Sequence, residues 1–237
     1  MTLTPSEILG DDPLLHRDGG TPTSWRVAAD LLELLNEVTS PGDTTLETGA
    51  GVSTILFAAL GARHHCVCPD SDVVARITEY CRGKGVATDS ITFVVDTSER
   101  ALPAMALPPL DLVLIDGRHG FPAPQIDWFY TAAALKVGGL VIVDDIQLWA
   151  CRLLRDFLAA EPEWELSSES PERWSAFRKV TEGDVQGKEW TQQVYGRDQM
   201  NALKRAQSFR RALGMLQRGQ VGAIARILAA RARRRLK

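Results

Sequence analysis

The chain has 237 residues, 45% of them hydrophobic and 24% charged, which is ordinary soluble composition and enough length for one sizeable domain with an appendage. No apolar run reaches the ~20 residues that span a bilayer, and the opening stretch has acids before any basic run and no apolar h-region, so a cytoplasmic protein without a secretory signal is expected. The net charge of −3 is polarised: residues 197–237 hold 12 Lys or Arg and one acid, Asp198, a balance of +11, and the first 196 residues hold 15 basic and 29 acidic residues, a balance of −14. A body that acidic argues against a nucleic-acid enzyme. The four cysteines form no C-x-x-C pair and read as small buried apolar residues kept reduced.

Residues 1–22 are rich in Pro, Gly and Asp and read as an irregular arm. A helical face follows from Trp25 to Val38, with Ser24 as its N-cap and Pro41-Gly42 closing it. Residues 44–58, TTLETGAGVSTILFA, then read as a strand, a glycine turn and a helix opening. Further strands are expected at 63–69, 91–95, 112–115 and 140–144. Helices are expected at about 72–82, in a short piece bracketed by Pro103, Pro108 and Pro109, and at 128–135. Strands alternating with helices predict a doubly wound, mostly parallel α/β sheet of Rossmann-like type. After a helix at 151–160, WELSS (164–168), AFRKV (176–180) and QQVYG (192–196) are candidates for an antiparallel terminal hairpin. The expected organisation is an arm at 1–22, a domain at 23–196 and a basic amphipathic helical tail at 197–237.

Right-handed crossovers bring the carboxyl ends of parallel strands to one edge, where ligands bind. Glu47, Asp70, Asp96, Asp116, Asp144 and Asp145 all fall at such ends, so six carboxylates are expected on one rim. Gly49 and Gly51 free the backbone to approach a nucleotide-like ligand, although Ser53 stands where a dinucleotide fingerprint has its third glycine. Asp70, 21 residues after Gly49, suits the ribose hydroxyls of either a nicotinamide dinucleotide or S-adenosylmethionine, or caps the next helix. Asp96 equally suits a cap before Glu99.

Taken together, the glycine turn, VVDTSERALP (94–103), DLVLIDGRHG (111–120) and LKVGGLVIVDD (135–145) resemble the class I S-adenosylmethionine-dependent methyltransferases, over roughly residues 24–150. Within them the resemblance is to metal-dependent O-methyltransferases of the catechol and macrolide-sugar types. It implies a seven-stranded sheet with a reversed terminal hairpin. It assigns Glu47, Gly49 and Gly51, with Ser53 after them, to the methionine end of the cofactor, Asp70 to the ribose, and Asp96 with Thr97 or Ser98 to the adenine edge. Asp116 falls at both the cofactor and the chemistry. Asp116, Asp144 and Asp145 imply a divalent cation, most simply Mg²⁺, since three close carboxylates repel unless something positive sits among them. The 28 residues between Asp116 and Asp144 look like the interval in those enzymes, and Asp145 in place of Asn favours the sugar-directed type. His119, three residues past Asp116, is the candidate general base, or a loop histidine bonding a carboxylate. His16, His64 and His65 receive no role. Phe121, Trp128, Phe129 and Trp149 are candidate walls of an acceptor pocket, Trp149 foremost.

The expected activity is methyl transfer from S-adenosylmethionine to a hydroxyl of a small-molecule, sugar or natural-product acceptor, assisted by the cation. The alternatives are a metal-independent class I N- or O-methyltransferase relying on His119 and proximity, and a non-catalytic cofactor-binding module. A nicotinamide-dependent reductase stands outside these. In the tail, Leu203, Ala206, Phe209, Leu213, Leu216, Val221, Ile224, Ile227 and Leu228 form an apolar stripe that suits docking on the acidic body, on a second subunit in a homo-oligomer, or on an anionic membrane surface. No nucleic-acid partner is expected.

Overall fold

The computed structural model describes residues 3–182 and 187–218. The chain divides into two units, 1–187 and 188–237, nine residues before the expected boundary. The first unit is built on a seven-stranded sheet formed by β3 (Thr44–Thr48), β4 (Arg63–Val67), β5 (Ile91–Val94), β6 (Leu110–Ile115), β7 (Leu135–Val143), β8 (Trp164–Ser170) and β9 (Trp174–Lys179). Its order is β5-β4-β3-β6-β7-β9-β8, parallel from β5 to β7, with β9 antiparallel to both β7 and β8. This is the expected doubly wound sheet with a reversed terminal hairpin.

Helices cover both faces: β6 ends in the apolar run Leu112–Ile115, and every residue of β3, though mostly polar, is buried. On one side α2 (Ala29–Val38), α3 (Val52–Leu60) and α4 (Ser71–Gly83) bury Leu31, Leu35, Ile55, Phe57, Val73 and Ile77. On the other, the short α5 (Ser98–Ala101), α6 (Ala123–Thr131) and α7 (Trp149–Ala160) bury Trp128, Leu154 and Leu158 against Leu46, Val113 and Val141. Trp128 is therefore a core residue rather than a pocket wall.

Three expectations are corrected. Residues 3–22 of the expected arm are not irregular: α1 (Pro5–Asp11) starts at a capping box in which Thr4 and Glu7 satisfy each other's backbone amides, and β1 (His16–Asp18) pairs with β2 (Thr21–Thr23) in a hairpin. The helix expected from Trp25 begins at Ala29, because Ser24 does not cap it. The Ser24 hydroxyl and the Arg26 guanidinium both donate to Asp12, which holds this stretch extended. QQVYG is not a strand; α8 (Val194–Gln217) starts within it. Val221, Ile224, Ile227 and Leu228 of the expected stripe lie outside the described residues.

Candidate functional site

The site is set by where adjacent strands end. Beyond the last paired residues, the Gly49 amide donates to the Val67 carbonyl at 3.0 Å, the Asp116 amide to Thr48 at 3.1 Å, and the Asp144 amide to Ile115 at 3.0 Å. Four strand ends are thereby laced in step, and the glycine turn, Asp116 and Asp144 share one rim. β3 and β6 are neighbours at the point where the strand order reverses, so the crevice opens there. Gly49 has φ +96°, and a Cβ on it would lie 2.2 Å from the Asp116 carbonyl oxygen, so the turn passes too close to β6 for any side chain.

A cleft of about 820 Å³ opens above this turn. Of the expected cofactor residues, Gly49, Asp70, Thr97, Ser98 and Asp116 line it. Asp70 also caps α4, accepting from the amides of Asp72 and Val73, so the capping role is met by a residue that also lines the cleft. Glu47, Gly51, Ser53 and Asp96 are not in the wall. Glu47 is turned inward and fully buried: its carboxylate accepts from the Ser53 hydroxyl at 2.7 Å and from Thr54, and lies 3.2 Å from His64 Nε2. The Thr54 hydroxyl in turn accepts from the Gly51 amide, and His64 Nδ1 is 2.8 Å from Thr45 Oγ1. This buried network fixes the first turn of α3 from behind. Asp96 accepts from the Thr97 amide, at the head of α5.

The chemistry-bearing cluster forms at the ends of β6 and β7. His119 Nε2 lies 3.6 Å from Asp116 and 3.4 Å from Asp145, and the three offer donor atoms that all fall within 4.8 Å of one another. Asp145 adopts φ +54°, a left-handed conformation tolerated by Asp, and is bonded by Gln147. Asp144 stands slightly apart from the expected triad. It is buried, and its Oδ1 has no partner. Burial first, then the Asp116 charge, pushes its carboxyl up to about 7. Asp116, one-quarter exposed where it faces the cleft, is pushed up to about 6 by desolvation and the charges of Asp145 and Glu47, against the pull of His119. His119 is raised in return, chiefly by Asp116, against its own burial. Beneath the cleft, Asp127 is fully buried with neither oxygen in hydrogen-bonding geometry; desolvation raises its pKa although the Ser98 and Thr48 hydroxyls oppose the rise.

A family model described as "Methyltransferase domain" matches residues 46–146, from the heart of β3 through the acidic pair. The chain has the fold of the class I methyltransferases. The O-methyltransferase TomG from Streptomyces achromogenes, solved with SAM, superposes on this domain with a TM-score of 0.59 at 18% identity, over 74% of this chain and 90% of that one. Cofactor-bound Rv0187 from MTB gives 0.58 at 18% identity, over 73% and 88%. A protein assigned as an rRNA methylase from Clostridium thermocellum gives 0.51 at 17%, over 64% and 94%. These likenesses establish the fold. A comparison with curated proteins found no significant match.

Part of the cleft is not legible in the sequence. His16, Trp25, Arg26 and Arg173 line it. His16 stacks on Trp25 with ring centroids 5.4 Å apart, and its Nε2 is 3.6 Å from where a Cβ on Gly51 would lie, so the N-terminal hairpin is packed onto the glycine turn. The Thr4-x-x-Glu7 capping signature marked order in this arm, but no local signal ties His16 to a turn 33 residues away. Phe121 and Trp149 meet at 5.6 Å, both more than half exposed, whereas Phe129 pairs with Tyr130.

Proposed function

We propose that the chain binds S-adenosylmethionine in the cleft and transfers its methyl group to a hydroxyl of a small acceptor such as a sugar or natural product. The observation that carries this reading is the laced set of strand ends, which brings the glycine turn and the cluster of Asp116, His119, Asp144 and Asp145 to one rim. The cleft fits the donor: its volume lies in the range of small-molecule sites, its floor at Gly49 excludes any side chain, and Asp70 stands in its wall. Gly49, Asp70, Thr97, Ser98 and Asp116 would hold S-adenosylmethionine, which supplies a sulfonium methyl carbon open to in-line attack. Glu47, Gly51 and Ser53 act from behind the turn.

His119, set between Asp116 and Asp145, would take the proton of an acceptor hydroxyl, and the two carboxylates would stabilise the imidazolium that results. Phe121 and Trp149, beside the acidic loop, suit the apolar face of an acceptor. The residues also fit a divalent cation. Three carboxylates crowd here, two of them driven toward neutrality, and Asp144 Oδ1 is buried without a partner. Asp116, Asp144 and Asp145 would hold it, with His119 in reach; oxygen donors suit Mg²⁺, and the imidazole extends the set to Mn²⁺. Such a cation would lower the pKa of the acceptor hydroxyl. A metal-independent reading rests on His119 itself, whose protonated form neutralises the same carboxylates.

The test is turnover with S-adenosylmethionine across a panel of hydroxylated acceptors, with and without chelator. Turnover lost to chelator and restored by Mg²⁺ supports the cation, and turnover that ignores chelator leaves His119 alone. Replacing Asp144 and Asp145 together with Ala is expected to abolish turnover while cofactor binding survives; unchanged turnover refutes their role.

A further inference from the structure

The basic segment takes no part in the chemistry above, yet it carries the most one-sided charge in the chain. Its helix α8, within the second unit, buries none of its residues. At about 100° per residue, Ala202, Ala206, Phe209, Leu213 and Leu216 share an arc of about 80°. That arc faces water, with Phe209 71%, Leu216 52% and Leu213 45% exposed. Arg197, Lys204 and Arg211 occupy the opposite face, and Arg205 and Arg210 border the arc on either side.

We propose that α8 seats on an anionic lipid surface, with the arc at the acyl boundary and the bordering arginines at headgroup level. A helix of low mean hydropathy, with Phe and Leu on one side and Lys and Arg elsewhere, has the composition that lies in a lipid interface. Charge and apolarity argue against a second copy and against a nucleic acid as the occupant. Pairing two copies through their arcs would set two segments of +11 side by side. A nucleic acid would take the basic face and leave Phe209, Leu213 and Leu216 in water. Residues 219–237, outside the described structure, continue the pattern with six Lys or Arg and no acid. No described helix is long and apolar enough to cross a membrane, so the contact lies on the surface.

Flotation of the full chain with vesicles tests this. Phosphatidylcholine vesicles containing roughly one-third phosphatidylglycerol are expected to carry the protein, and binding should fall about tenfold on pure phosphatidylcholine or at high salt. Phe209→Glu with Leu213→Glu is expected to cost about tenfold as well, and Arg205→Gln with Arg210→Gln to weaken binding without altering S-adenosylmethionine affinity, which serves as the control for folding. Absence from anionic vesicles, equal partitioning onto neutral ones, or undiminished binding by the Phe209/Leu213 double variant overturns the proposal. Concentration-dependent dimerisation, or retention of RNA that survives Phe209→Glu, without vesicle binding, also overturns it.

Discussion

At Gly49 the backbone has φ +96°, and the space a side chain would need is filled by the Asp116 carbonyl 2.2 Å away. Gly49→Ala therefore combines a backbone penalty of about 1–3 kcal/mol with a clash against β6. A lower melting temperature and a loss of S-adenosylmethionine affinity are expected, read by thermal unfolding and calorimetry. Asp127 gives a pH-dependent prediction. Its carboxyl is raised from the ordinary value of 3.8 by burial, so its contribution to stability is complete below that value and is lost as pH rises through the folded value. Asp127→Asn carries no charge, so the variant is expected to melt above the native protein at about pH 8 and level with it at about pH 3. Parallel melting curves across that range would contradict a carboxyl raised by burial. His119, raised by Asp116, places its proton-accepting limb above the ordinary imidazole range of about 6.5, and without bound cation the rate should rise through that limb.

Among the elements, the strands were legible because runs such as Ile91–Val95, Leu112–Ile115 and Leu140–Val143 are apolar and bounded by Gly, Pro or an acid, and the alternation with helices repeats five times. Facing was not. The chain pattern put Glu47 at a strand's end but carried no mark of which side it would take, and it turned inward to Ser53, Thr54 and His64. Removing it strands three buried polar groups. Glu47→Ala is expected to cost at least about 3 kcal/mol in denaturant unfolding, whereas a purely cofactor-facing carboxylate would leave the apo-protein's stability nearly unchanged. The start of α2 was misplaced for a related reason: Ser24 is a good cap by type, but Asp12, far away in sequence, claims its hydroxyl. Asp116, His119, Asp144 and Asp145 were legible as a group because they close two adjacent strands. Their division, with His119 between Asp116 and Asp145 and Asp144 set apart, depends on loop geometry that spacing does not encode.

For the whole molecule, the sheet reverses its order between β3 and β6, and that crevice brings a glycine turn, Asp70 and a carboxylate–imidazole cluster into one cleft. Under the proposed function, a methyl donor at the turn and an acceptor hydroxyl at His119 would meet there. The acidic body houses the cleft, and the +11 segment carries the proposed lipid contact. The most direct measurement is calorimetric titration of the full chain with S-adenosylmethionine. The account predicts saturable binding in the micromolar range that persists with chelator present and is lost in Gly49→Ala; no heat of binding at millimolar cofactor, or binding undiminished by that substitution, would contradict it.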